Sequence, residues 1–195
     1  PKGAMQHARD PSTIHVPAVQ AGRMKARAFP GIPGTAPNRT LQIVYMDFCG
    51  PFKTPSIIDG FIHYCGVVDA FSGYSRVFAC HNQTAKEAVA ALQQFINDVR
   101  AKAASPIENV AVVRTDAGSA FVSEDFKAYV ATKVGAVLSL ACFYTPEQNS
   151  YAERLWMSVV STARVYLASA GLPPEFHSYA VQLACYLRNR MPSST

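Results

Sequence analysis

Three carboxylates stand where strand-like sequence gives way to a turn or to a helix. Val110-Ala-Val-Val-Arg-Thr ends at Asp116-Ala-Gly118, and Leu41-Gln-Ile-Val-Tyr-Met ends at Asp47. Apolar, β-branched runs of this length that stop at a turn read as buried strands. The rim where such strands end is where open α/β sheets place their chemistry. Glu153 lies at the start of a long helical pattern, in Thr145-Pro-Glu-Gln-Asn-Ser-Tyr-Ala-Glu153-Arg154. Carboxylates converging from three distant segments can hold two divalent metals, and paired metals drive in-line phosphoryl displacement. Mg²⁺ suits them because it takes oxygen ligands in near-octahedral geometry. Each acid also has a plainer reading. Asp47 could cap a strand ahead of Cys49-Gly50-Pro51, Asp116 could be a turn residue because Asp-x-Gly favours turns, and Ser150-Tyr-Ala-Glu153 is a capping box. That all three fall at these places in one element order favours a shared site.

The elements that must position them follow from periodicity. Strand-like runs occupy 41–48, 61–68, 74–80, 110–115 and 136–141, with Asp69-Ala-Phe-Ser-Gly73 joining the second and third as a hairpin. Thr84-Ala-Lys-Glu87 opens a helix as a capping box; Val89, Leu92, Phe95, Ile96 and Val99 form its apolar stripe, and Ser105-Pro106 stops it. A short helix is expected over Phe121–Lys133, capped by Ser123, with Phe126, Tyr129 and Val130 inward. Two more follow. Trp156, Val160, Ala163 and Leu167 stripe the first, which stops at Gly171; Phe176, Tyr179, Leu183 and Leu187 stripe the second, which ends before Pro192. A strand, helix, strand order implies parallel pairing. The whole order predicts an α/β, RNase H-like fold: a mixed five-stranded sheet flanked by helices.

Composition bounds the function. With 195 residues, 49% hydrophobic and 16% charged, the chain can build one full core plus an appendage. No apolar run approaches the roughly 18–20 residues that span a bilayer, and the opening residues carry no apolar secretory stretch. Five cysteines (49, 65, 80, 142 and 185) form no Cys-x-x-Cys pair, which suits buried thiols in a reducing, intracellular compartment rather than a disulfide framework. The formal net charge of +5 resides wholly in residues 1–40, where Lys2, Arg9, Arg23, Lys25, Arg27 and Arg39 face only Asp10. A basic, Pro/Gly-rich arm of this kind suits a polyanion such as DNA, or is simply a soluble leader. The expected division is therefore an arm over 1–40 and a core over 41–195.

Five segments carry a resemblance: Tyr45-Met-Asp47-Phe-Cys-Gly-Pro51, Val68-Asp69-Ala-Phe-Ser-Gly-Tyr-Ser, Arg114-Thr-Asp116-Ala-Gly118-Ser-Ala-Phe121, Tyr144-Thr-Pro-Glu-Gln148-Asn149-Ser-Tyr-Ala-Glu153-Arg154, and Tyr186-Leu-Arg-Asn-Arg-Met-Pro192. In this order, with 36 residues between Asp116 and Glu153, the chain resembles the catalytic core of a retroelement integrase, most of all those of copia-type LTR retrotransposons. The resemblance implies that Asp47, Asp116 and Glu153 are the catalytic triad and hold two Mg²⁺ (or Mn²⁺) ions. These activate water for 3′-end processing or a DNA 3′-hydroxyl for strand transfer, with no covalent enzyme intermediate. It further implies that Gln148, Asn149 and Arg154 contact DNA, joined by Lys25 and Arg27 of the arm. The partners are element ends and target DNA. A homo-oligomer is expected, with a dimer through the helical face, working in the nucleus or a cytoplasmic particle without a membrane.

The departures are specific. Asp116-Ala-Gly-Ser-Ala-Phe121 stands where the family has Asp-Asn-Gly-Gly-Glu-Phe, Asn149-Ser150 where Asn-Gly follows the glutamine, and Leu155-Trp156-Met157 where basic and amide residues are common. The arm reads as a degenerate or truncated remnant of the family's His-His-Cys-Cys zinc module. His7 and His15 are there, but Val16 and Val19 stand at the cysteine positions, so no structural zinc is expected. Two alternatives remain open: a co-opted integrase fold that binds nucleic acid or protein without turnover, and a plain RNase H-type nuclease using Asp69 or Glu124 as a fourth carboxylate.

Overall fold

The computed structural model describes residues 36–141 and 150–191. Lys25, Arg27, Gln148 and Asn149 lie outside them. Strands β1 (Ile43–Cys49), β2 (His63–Asp69), β3 (Ser75–Cys80), β4 (Val112–Thr115) and β5 (Val137–Leu140) form one sheet in the order β3-β2-β1-β4-β5. β1, β2 and β3 pair antiparallel, while β1–β4 and β4–β5 are parallel. Helix α1 (Ala85–Lys102) makes the crossover between β3 and β4. The short helices α2 (Ser119–Val122) and α3 (Glu124–Tyr129) separate β4 from β5, and α4 (Ser150–Ala170) and α5 (His177–Arg188) close the chain. This is the mixed, helix-flanked sheet that the element order predicts.

Strand alternation divides the core into two layers. Val44, Met46, Cys65, Val67 and Val113 face α1, α2 and α3, where Leu92, Phe95, Phe121 and Phe126 are buried. Tyr64, Val68 and Val77 face the other way, against Leu155, Trp156 and Val159 of α4 and Ala180, Val181 and Ala184 of α5. Asp47 lies between Met46 and Phe48 on β1, so it projects toward the α4 layer.

The capping expected at Thr84 is present: its hydroxyl accepts from Glu87 N, and the Glu87 carboxylate reaches back to His81 N at 3.0 Å. Ser123 caps as expected, accepting from Phe126 N at 3.3 Å. Its own backbone is extended, however, so it divides the predicted single helix in two. The second piece ends in a π-turn, Val130–Val134, closed by Gly135 at φ 72°.

Of the stripe predicted to face inward on α5, Phe176 and Leu187 are half-buried but Tyr179 and Leu183 face outward. Tyr179 is 57% exposed and Leu183 47%, whereas His177, Ser178, Ala180, Val181, Ala184 and Cys185 are buried. Two physical reasons outweigh hydrophobicity here. Small side chains let α5 approach α4 and β3 closely, and the buried polar groups are fully engaged. The Tyr64 hydroxyl lies 2.6 Å from both His177 Nδ1 and Ser178 Oγ, and His177 Nε2 lies 2.9 Å from the Thr54 carbonyl. A carbonyl only accepts, so Nε2 carries the imidazole proton and Nδ1 accepts from Tyr64.

Candidate active site: a carboxylate cluster on the sheet

Pairing of β1 with β4 aligns Tyr45 with Arg114. Carried two residues further, this register sets Asp47 beside Asp116, which immediately follows β4. α4 carries Glu153 in its first turn. Asp47 is half-buried; Asp116 and Glu153 are exposed. Burial is the largest reason that the Asp47 carboxyl is pushed up to about 7 from 3.8. The Asp116 charge adds to it and the Glu153 charge contributes less, while a hydrogen bond from the Phe48 backbone opposes them. The three acids named from the sequence therefore share one electrostatic neighbourhood, with Asp47 and Asp116 the more closely coupled pair.

Asp116 also fulfils its plainer reading. Its Oδ1 accepts from Gly118 N at 3.0 Å, closing the turn after β4. A Cβ at Gly118 would sit 3.0 Å from the same oxygen, so glycine keeps that carboxylate uncrowded. A turn role and a site role coincide, because the turn fixes where the carboxylate stands.

What brings α4 over the site is a set of residues the sequence did not single out for this role. Gly66 is the register partner of Asp47. A Cβ there would lie 2.7 Å from Trp156 Cζ2 and 3.0 Å from Leu155 Cδ2. Lacking a side chain, Gly66 admits α4 onto β2. The first turn of the helix is held separately. Tyr151 stacks on Tyr45 with ring centroids 4.8 Å apart, and Arg114 Nη1 donates to the Tyr45 hydroxyl at 3.1 Å. Arg154 is exposed and lies over the Tyr151 ring at 4.7 Å. The legible signal was spacing: Tyr45 and Asp47 are i and i+2 on a strand, so they share a face, as do Tyr151 and Arg154 at i and i+3 on a helix.

The candidate fourth carboxylates lie elsewhere. Asp69 is fully buried and pairs with Val44, three positions along β2 from Gly66 and so roughly 10 Å away along the strand. It accepts from Leu41 N and Ser72 N, both at 2.8 Å, which makes it the brace of the β2–β3 hairpin. Glu124 pairs with Lys127 at 2.9 Å on α3. The charges that raise the Asp47 carboxyl are those of Asp116 and Glu153.

The donor set fits a divalent cation chemically: all three groups are carboxylates, and Asp47 is disfavoured as an anion until positive charge arrives. Among the described residues no group of three or more His, Cys, Asp or Glu is placed to hold a metal ion. Mg²⁺ does not require one, since it is commonly held by one or two carboxylates, with water and substrate phosphate completing the shell. Asp47 and Asp116, side by side in the register of β1 and β4, are the two carboxylates that could hold it.

The integrase core domain family matches residues 37–146. The chain belongs to that family. It is 31% identical over 153 residues, 78% of its length, to the retrovirus-related Pol polyprotein from transposon TNT 1-94 of Nicotiana tabacum, and it spans 11% of that polyprotein. Among solved structures it is similar to a chain of the simian T-cell lymphotropic virus intasome in complex with the PP2A regulatory subunit B56 gamma. The TM-score is 0.62 at 21% identity, covering 85% of this chain and 53% of that one. It is also similar to the HTLV-2 integrase catalytic core domain in complex with magnesium, with a TM-score of 0.57 at 22% identity, covering 83% and 92%. This integrase core has the RNase H-like fold, and its relatives by sequence are retroelement polyproteins.

Proposed function

We propose that the chain is the core of a copia-type integrase: a DDE polynucleotidyl transferase that processes the 3′ ends of element DNA and joins them to target DNA. The observation that carries this reading is the raised, half-buried Asp47 carboxyl, on which the Asp116 and Glu153 charges act, within an integrase core fold. Asp47, Asp116 and Glu153 would hold two divalent cations, Mg²⁺ or Mn²⁺, which when bound supply nucleophile activation and neutralise charge on the leaving oxygen. The chain's own residues do the positioning. β1 and the turn after β4 fix two carboxylates rigidly, and the Tyr45–Tyr151 stack sets the third. Arg154, Gln148 and Asn149 engage the DNA ends, and Lys25 and Arg27 of the 1–40 arm meet phosphates outside the 41–195 core. The work takes place inside the cell, in a cytoplasmic particle and in the nucleus.

A disintegration assay tests this reading, since resolving a branched DNA reverses strand transfer and places the fewest demands on flanking domains. The expected result is joined product that requires Mg²⁺ or Mn²⁺ and disappears in Asp116→Asn. Folded protein that binds the branched DNA yet yields no product with either metal would favour a co-opted core that binds without turnover.

The solved relatives include an intasome and a trimeric core, and we propose that this core also self-associates. Tyr179, Leu183 and Tyr186 form an exposed apolar row on α5, the helical face expected to pair. Leu183→Asp should move the protein to monomer in sedimentation equilibrium with its circular dichroism unchanged. An unaltered mass distribution would place the interface elsewhere.

A further inference from the structure

One buried donor beside the carboxylates has no acceptor among the described residues. Trp156 is 7% exposed, and among the described residues its Nε1–H meets no hydrogen-bond partner, although buried indole N–H groups are usually paired. The place of this orphan is well defined. The Cβ position of Gly66 lies 2.9 Å from Trp156 Cε2, the carbon bonded to Nε1. Gly66 is the register partner of Asp47. Directly paired residues on antiparallel strands project to the same face, with Cβ positions about 4.5–5.5 Å apart. The indole therefore fills the space that a side chain opposite Asp47 would take, and it has little freedom to turn because Gly66 and the sheet lie against its ring.

We infer that Trp156 is a positioning residue for Asp47. With one Asp47 oxygen given to a divalent cation, the other would accept the indole N–H, which would satisfy the orphan donor and fix the rotation of the carboxylate. This rests on the metal reading proposed above. Carboxylates that bind metals are themselves held by hydrogen bonds, and loss of such a partner commonly weakens metal affinity 10–100-fold. Indole suits this role because it donates only, carries no charge and does not titrate. It supplies a polar contact in Leu155-Trp156-Met157, a segment otherwise apolar.

Trp156 is the chain's single tryptophan, so its indole N–H gives one isolated signal in a ¹H–¹⁵N spectrum. The full chain is titrated with Mg²⁺ alone while calorimetry follows uptake. The indole signal should move downfield and saturate together with uptake, and its exchange with solvent should slow. Trp156→Phe, which keeps an aromatic ring without the donor, should bind Mg²⁺ about tenfold more weakly. Val159→Ala, buried on the same helix, should lose stability and keep the affinity. A stationary indole signal during measurable uptake would overturn the assignment, as would wild-type affinity in Trp156→Phe. Absence of Mg²⁺ uptake by the wild-type chain would instead remove the metal reading, and this assignment with it. The wild-type spectrum decides the matter even if Trp156→Phe does not fold.

Discussion

Asp47→Asn should make the metal-free protein more stable at pH 8 while greatly slowing its metal-dependent chemistry. Burial and the neighbouring acids raise the folded-state carboxyl from 3.8 to about 7. Between these values the folded chain holds a proton that the unfolded chain has released. Stability therefore falls as pH rises through that window and stays low above about 7. At pH 8 the folded protein bears an ionised carboxylate it disfavours, at a cost of up to ~4 kcal/mol, and less where solvent reaches the group. The asparagine variant carries no such cost. In the absence of metal its melting temperature should exceed the wild type's at pH 8 by roughly 3–8 °C, and the two should converge near pH 4. Mg²⁺ should raise the wild-type melting temperature and leave the variant unmoved. Losing a ligand to the ions that offset transition-state charge removes several kcal/mol, so disintegration should slow by a factor on the order of 10³. Thermal denaturation with and without Mg²⁺ at both pH values checks the stability claim. A wild type more stable than Asp47→Asn at pH 8 without metal would contradict it.

Gly66→Ala should damage activity beyond its cost in stability. The new methyl would meet Trp156 Cζ2 at 2.7 Å and Leu155 Cδ2 at 3.0 Å, distances that force α4 outward. Overpacking of this kind costs about 1–3 kcal/mol. The same movement loosens the approach of Glu153 and of the Trp156 indole to Asp47. Misplacement of about 1 Å can cost on the order of 10² in rate, so disintegration should fall by about that factor in protein that is still folded. Gly73→Ala is the control. Gly73 has φ 69° in the β2–β3 hairpin with open space around it, so alanine there costs about 1–2 kcal/mol of backbone strain and touches nothing near the carboxylates. Equal activity loss in the two variants at matched folded fraction would show that Gly66 acts through stability alone.

Much of this was legible in the sequence because each signal was local. Runs such as 41–48 and 110–115 are dense enough in β-branched and aromatic residues to mark strands. Asp116 follows the end of β4 as expected, whereas β1 runs on past Asp47 to Cys49 because Phe48 and Cys49 continue the pairing with β2. Thr84 and Ser123 are caps whose partners lie three residues on. Where the answer depended on what lies across a contact, sequence fell short. Periodicity assigns the larger residues of α5, Tyr179 and Leu183, to the core. The observed buried face is the one whose small side chains and hydrogen-bonding groups match Tyr64 and β3. Gly66 carries no mark in its own neighbourhood, since its importance comes from Trp156, ninety residues away. Asp69 reads as a candidate ligand because acids are conspicuous in sequence, whereas the structure spends both its oxygens on backbone N–H groups of its own fold.

Anomalous diffraction from crystals of the full chain soaked in Mn²⁺ tests most directly whether these carboxylates are a metal site. The predicted result is density for Mn²⁺ ligated by Asp47 and Asp116, and a second ion that brings in Glu153. Crystals at saturating Mn²⁺ with no anomalous signal at Asp47 would contradict the metal reading.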